Sequence, residues 1–450
     1  MDEEIAFSAR AGLVALGMRF QRLGLWAVVA EHVKIKQKVL VHTPLEKLLD
    51  CFINILAGGS GLIEINTRVR PDRAVQRAFG RRACAEQSTI SDTLNACTPE
   101  NVAEMRTALK AILRHHGQSY AHNYEHEWQL LDIDTTGMPA GRQGEGVTKG
   151  YFAKQKNRRG RQLGRVVATQ YEELIVDRLY PGKRQLNDCL QALLTTTEDV
   201  LDLDEPKRKR TIVRVDAGGG EDKDINWLLA RDYHILVKVK NWRRAEKLAA
   251  SVLQWYADSK LEDREVGWVQ APHPYTRPTR QLAVRSKKAD GSRSHHVLVL
   301  TLTDEMLFQL GEQAVPSPLQ PVDGLLAALQ AYDRRGGGIE TQNRADKQGL
   351  GLTHRNKQRF AAQEMLVLLA HLAHNLVIWT RNDLAQADQR FHKYGIHRTV
   401  RDAFQIPGAV LLDSDGHIQG ITLNQLHPLA GGFHSAFAAL DDLPLNLGQI

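Results

Sequence analysis

The sequence predicts an α/β fold built on a mixed sheet, and three observations carry the prediction. Strand-like runs follow one another at 129–134, 162–170 and 173–179, the last stopped by Pro181 and Gly182, as consecutive antiparallel strands do. An amphipathic helix over 186–201 comes next. A strand (211–215), a helix (224–231) and a second strand (235–239) then imply a right-handed parallel crossover.

In chain order, residues 1–125 read as an all-helical domain. Thr43, Pro44 and Glu46 make a capping box with proline at the first helical position, and that helix stops at Gly58 and Gly59. Thr98, Pro99 and Glu100 start another, which runs to Gly117. Between them, 71–79, the break Gly80, Arg81 and Arg82, and 88–94 resemble a helix-turn-helix, a motif that reads DNA with its second helix. Residues 126–240 hold the strands and helices above, and three antiparallel strands, a helix and a strand–helix–strand unit is the order of a ribonuclease-H-like core. Over 241–327 a β-rich insertion is expected, from the alternating 265–269 and the strand-like 295–302. The core resumes over 328–385 with a helix at 339–347 and a long apolar one at 359–379. The tail, 386–450, serves as a C-terminal or dimerisation segment and holds a hairpin turning at Asp415 and Gly416.

At 450 residues the chain exceeds a single ordinary core. Its 42% hydrophobic and 25% charged residues match a soluble globular protein. No run approaches ~18 apolar residues, so no transmembrane helix is expected. The start, MDEEIAFSAR, lacks a basic and then apolar leader, so secretion is not expected either. Cys51, Cys84, Cys97 and Cys189 are scattered without CxxC spacing, which implies no zinc cage and fits a reducing cytoplasm. A net charge of +7 is compatible with a polyanionic partner. Lys149, Lys154, Lys156, Arg158, Arg159, Arg161 and Arg165 concentrate positive charge in a way that suits phosphate contacts.

Three acids stand where elements of this core end or begin: Asp134 closes 129–134, Asp216 closes 211–215, and Glu340 opens a helix behind three glycines. Cutting a phosphodiester at neutral pH requires an activated nucleophile and neutralisation of charge on the leaving oxygen, which two magnesium ions roughly 3.5–4 Å apart supply. Magnesium takes hard oxygen ligands, so carboxylates must be gathered at one place, and in an α/β sheet that place is the carboxyl end of the central strands. Period two puts Asp132 on the same face as Asp134, so the pattern alone does not choose between them; Asp134 is preferred because it stands at the strand's end before Thr135, Thr136 and Gly137, where the chain leaves the sheet. Glycines 218–220 after Asp216 permit a sharp turn, and without a following lysine and hydroxyl residue they are not a P-loop.

Tyr332, Arg335, Glu340 and Lys347, in YDRRGGGIETQNRADK, form a Tyr-Arg-Glu-Lys signature, with six residues between Glu340 and Lys347. LLDIDTT around the first acid, the stretch 149–182 after it, TIVRVDAGG around the second, QSTISDTL near the front and AHLAHNLVIW after the third accompany it. On these residues the chain resembles the DDE transposases of bacterial insertion sequences, in the branch marked by that signature, over roughly residues 10–400. The upstream half departs by one residue: four positions separate Arg335 from Glu340, and Arg334 is an equal alternative.

The resemblance implies a metal-dependent transposase in which Asp134, Asp216 and Glu340 hold Mg2+, with Mn2+ substituting. Lys347 and Tyr332 would contact phosphates near the cut, and Arg335 or Arg334 would steady the same backbone. Lys238, Lys240 and Trp242, followed by Trp268, would handle the transposon end, while Arg158, Arg159 and Arg161 add DNA contacts. The implied partners are double-stranded DNA, as terminal inverted repeats and target, and a second copy of the chain, with no membrane. Two other readings fit the residues less fully: a transposase-derived DNA-binding protein without catalysis, and a ribonuclease-H-like nuclease.

Other groups read as structural. His122 and His126 lack a third ligand nearby, His371 and His374 fall on an apolar helix, and Glu364 is a rival third acid without the signature's neighbours, so a salt bridge is expected there.

Overall fold

The computed structural model describes residues 4–450 apart from 151, 153, 154, 156, 312, 313 and 442, so Lys154 and Lys156 of the basic run lie outside the described residues. The chain forms two compact units, one of Met1–His116, Pro139–Val147 and Gln342–Ile450, the other of Gly117–Met138 and Thr148–Thr341.

The second unit is built on a sheet of strands β1 (Gln129–Pro139), β2 (Arg159–Ala168), β3 (Glu173–Pro181), β4 (Thr211–Val215), β5 (His234–Lys238), β6 (Arg264–Trp268), β7 (Arg280–Lys287) and β8 (Arg293–Leu300). Their order is β3-β2-β1-β4-β5-β8-β7-β6, with two-residue strands Thr148–Lys149 beside β2 and Tyr256–Ala257 beside β6. Strands β1, β4 and β5 are mutually parallel, and β2 and β3 are antiparallel. Helix α1 (Leu190–Leu201) precedes β4, and helix α2 (Asp222–Ala230) links β4 to β5, as the sequence leads one to expect.

The expected β-rich insertion is not a separate sheet. Strand β8 pairs antiparallel with β5, Leu298 opposite Lys238 and Leu300 opposite Leu236, and so extends the same sheet. An unpaired edge on β5 would leave its backbone donors and acceptors open, and β8 fills them. One sheet face, with Leu130, Ile212, Leu236, Leu282 and Leu298, packs on Leu325, Ala328 and Ala331 of helix α3 (Pro321–Gly337). Helix α4 (Ile339–Gly349) follows directly.

The first unit contains the expected front helices. Pro44–Leu56 starts on the Thr43 capping box, Thr43 N–H donating to Glu46 Oε2 at 2.7 Å and Glu46 N–H to Thr43 Oγ1 at 3.2 Å. Pro99–His116 starts on Thr98, whose Oγ1 accepts from Asn101 N–H at 3.3 Å. Phe360–Ala387 is long and apolar enough to cross a membrane, yet its apolar window is buried and it packs on Pro44–Leu56, Gln87–Ala96, Pro99–His116 and Ala430–Asp441.

One strand departs from the all-helical expectation. Glu4–Ser8 pairs antiparallel with Gly408–Leu412, which with Ile418–Asn424 makes the expected hairpin, and Leu445–Gly448 completes a four-stranded sheet. Gly416 takes φ +80 in the hairpin turn, a conformation that glycine adopts without strain. The segment resembling a helix-turn-helix is helical at Arg73–Ala78 and Gln87–Ala96. Arg81 between them is buried and forked onto Asp50 at 2.8 and 3.2 Å, so this arginine is structural.

Candidate active site

The site grows out of the register of three parallel strands. Asp132 on β1 lies opposite Arg214 on β4, and Ile133 opposite Val215. Arg214 in turn lies opposite Leu236 on β5, and Val215 opposite Val237. Because side chains alternate, one face reads in rungs: Leu130 with Ile212, then Asp132 with Arg214 and Leu236, then Asp134, Asp216 and Lys238 one position beyond the last paired residues. The rungs pass from apolar, to ion-paired, to acidic. Strand β1 does not end at Asp134, as expected, but runs on to Pro139; what ends there is its pairing with β4.

Each acid is held locally. Asp134 Oδ1 accepts from the Thr135 N–H at 2.8 Å, and Asp216 caps the turn Ala217–Gly219 by accepting from Gly218 N–H at 2.8 Å. Glycine is required at 220, where a Cβ would stand 1.8 Å from the Lys238 carbonyl oxygen. Glu340 sits in the first turn of α4, mostly exposed.

Arg335, on α3, joins them. Its Nη1 donates to Glu340 Oε1 at 3.0 Å, its Nη2 lies 3.5 Å from Asp134 Oδ1, and Nη2 also donates to the Ile133 carbonyl at 3.3 Å. Asp216 lines an open cleft of about 330 Å³ with Lys238, Tyr332, Asp333, Arg335 and Glu340. Burial pushes the Asp134 carboxyl up to about 7, against the pull of the Arg335 guanidinium and with Asp216 and Glu340 adding like charge. Burial opposes the Arg335 charge, which Asp134 and Asp216 hold in place, while Arg335 Nε is buried without a hydrogen-bond partner. Burial lowers the Lys238 ammonium against the attraction of Asp216, and burial raises the Tyr332 phenol.

These donors suit a divalent cation in chemistry: they are hard oxygens, and Asp134 remains raised even beside Arg335, so the cluster has room for more positive charge. As they stand, no three described His, Cys, Asp or Glu side chains are grouped to hold one ion, and Arg335 lies between Asp134 and Glu340.

The other expected site residues divide. Arg334 points away, capping helix Asp304–Leu310 by donating to the Leu310 and Gly311 carbonyls at 2.6 and 3.0 Å, which distinguishes it from Arg335. Lys240 is paired with Glu221 at 2.7 Å, and Trp242 is 61% exposed with Arg243 over its ring. Trp268 packs against the core. Arg158 is exposed and Arg159 half-buried, but Arg161 and Arg165 are buried, Arg165 on Asp177 at 2.7 Å, so these two do not form a DNA-facing surface. Lys347 follows Glu340 on α4, within the first unit. Glu364 pairs with Arg106, as expected of a salt bridge. His374 is buried on Asp346 at 2.8 Å.

Lys238, expected to handle DNA, shares the acidic rung and lines the cleft. One feature was missed in the sequence: Arg214 consumes Asp132 in a bidentate pair, Nε to Oδ1 and Nη2 to Oδ2 at 2.7 Å each. The signal was present: an Arg-x-Asp on one strand set against an Asp-x-Asp on its neighbour.

A family model described as "Transposase DDE domain group 1" matches residues 5–445. The chain belongs to that family. A comparison with curated proteins gives no match. Among solved structures, the transposase is similar to a piggyBac transposase synaptic complex with hairpin DNA, at 12% identity and a TM-score of 0.46, over 89% of this chain and 83% of that one. DDE transposase domains generally use divalent metal ions, and the acids around Arg335 are the candidates for holding them here.

Proposed function

We propose that this transposase binds the terminal inverted repeats of an insertion sequence and cuts and joins DNA strands at the cleft of Asp134, Asp216 and Glu340, on a core of ribonuclease-H-like type. One observation carries the reading: in a member of the family, a single buried arginine lines a cleft with Asp216 and Glu340, pairs with Glu340 and reaches Asp134 at 3.5 Å. Asp134, Asp216 and Glu340 would hold the divalent ions, magnesium with manganese as substitute, which when bound activate the attacking water or 3′ hydroxyl and neutralise the leaving oxygen.

The chain's own groups supply the rest. Lys238 and Tyr332 stand in the cleft, where an ammonium and a phenol can donate to the scissile phosphate. Arg335 balances the acids before DNA arrives. Lys347, on the helix of Glu340, would contact phosphates near the cut, and the exposed Arg158 and Trp242 would add DNA contacts, Trp242 as a stacking surface. Joining both ends of an element calls for a dimer on DNA.

The test is a nicking and strand-transfer assay on a DNA fragment carrying the element's ends, with magnesium, comparing wild type with Asp216→Ala. Cleavage lost with binding kept supports the enzyme. Binding without cleavage in both proteins means a DNA-binding protein that no longer cuts.

A further inference from the structure

Arg214 and Asp132 face the interior, one rung below the acids, and neither is placed to touch DNA: their side chains are 2% and 0% exposed. We propose that this ion pair is the positioning device of the site, setting the stagger of β1 against β4 and the approach of α3, and thereby the spacing of Asp134, Asp216 and Glu340. The inference rests on the reading of those three acids as the cation-holding group.

The pair touches every piece of chain that delivers an acid. Asp132 is two residues before Asp134 on β1, and Arg214 is two before Asp216 on β4, in direct register. The third arm of Arg214, Nη1, donates to the Ala331 carbonyl on α3 at 2.5 Å, one helical turn before Arg335. The link to Glu340 rests on the pair as well: a Cβ on Gly338 would stand 2.7 Å from Asp132 Oδ2. Thr169 Oγ1 donates to that same oxygen at 2.6 Å, so Asp132 has its acceptors engaged and is not a spare metal ligand.

Stability alone does not account for such a pair, since well-packed apolar residues replace buried ion pairs at little or no cost. Alignment does. A one-residue slip between strands turns every side chain to the other face and is excluded by the core. A two-residue slip keeps the faces, but it would set Leu130 against Arg214 or Ile212 against Asp132 and part Asp134 from Asp216 by roughly 6.6 Å. The fork of Arg214 on Asp132, with its third arm on the Ala331 carbonyl and Thr169 on the same carboxylate, holds the observed registration.

The experiment uses the full chain. The double variant Asp132→Leu/Arg214→Met removes the fork without leaving a buried charge, and is compared with wild type and Asp216→Ala by melting temperature, Mn2+ calorimetry without DNA, end-DNA binding and cleavage rate. The expected result is a melting temperature close to wild type, DNA binding within about twofold, Mn2+ affinity lower by about tenfold or more, and cleavage slower by about a hundredfold. Wild-type Mn2+ affinity and cleavage in the double variant would overturn the proposal. If the double variant does not fold, Arg214→Lys, which keeps the charge and loses the fork, carries the same readouts: tenfold weaker Mn2+ binding supports the proposal and wild-type values overturn it. Should Asp216→Ala cut at the wild-type rate, the reading of the acids fails; should it be inactive while the folded variants match wild type, the positioning role alone fails.

Discussion

Asp132 and Asp134 sit two residues apart on one strand and face the same side of the sheet, yet their surroundings separate them completely. Asp132 is sealed, its oxygens taken by Arg214 and Thr169. Asp134 has Arg335 at 3.5 Å, shares that guanidinium with Glu340, and remains raised to about 7. The comparison teaches that a carboxylate becomes available for chemistry when the fold gives it less positive charge than it needs. Where the charge is matched in full, the same residue type is a fastener.

The two rungs should break in opposite ways. Asp216→Asn or Asp134→Asn, on the acidic rung, should slow strand cleavage by at least about 10³-fold while leaving DNA binding near wild type, read by nicking and by gel shift. Arg214→Met, on the paired rung, leaves Asp132 buried and uncompensated, and should cost on the order of 3 kcal/mol, seen as a lower melting temperature with or without DNA.

A pH series sharpens the same contrast. The Asp134 carboxyl titrates near its ordinary 3.8 when unfolded and about 7 when folded. The metal-free folded state therefore binds that proton more tightly, and its stability falls as pH rises from about 4 to about 7. Asp134→Asn removes the charge, so the metal-free variant should be more stable than wild type at pH 8, by up to about 4 kcal/mol and with a higher melting temperature, and no different near pH 3. Arg335→Gln takes away the resident counter-charge; the metal-free protein should lose stability above pH 7, and added Mn2+ should raise its melting temperature more than it raises that of wild type. The smallest effect belongs to Glu364→Gln in the other unit, whose carboxylate is occupied by Arg106; cleavage should stay within about twofold.

Much of the candidate site was legible in the sequence, because Asp216, Glu340 and the glycines beside them sit at element boundaries, which local pattern marks. Asp134 was preferred to Asp132 for standing at the expected strand end, but the strand runs on to Pro139 and period two places both acids on one face; Arg214, 82 residues from Asp132 in sequence, makes the difference. Arg334 and Arg335 are neighbours with the same charge, and only the path of α3 turns one toward a helix end and the other toward the acids. Long-range pairing hid the strand Glu4–Ser8, whose partner is Gly408–Leu412, and the joining of β8 to β5, which makes the expected insertion part of the sheet. The basic run was over-read as surface, because charge counted along a sequence does not reveal that Arg161 and Arg165 point inward.

The central claim is that acids from three distant segments share divalent cations. It is tested most directly by replacing magnesium with Fe2+ and adding ascorbate and peroxide, so that hydroxyl radicals cut the polypeptide beside the bound metal, with the cuts mapped by mass spectrometry. Cuts clustered around positions 134, 216 and 340, suppressed by excess Mg2+ and absent in Asp216→Ala, are the predicted result. Cuts that map elsewhere, or that persist unchanged in Asp216→Ala, would contradict the account.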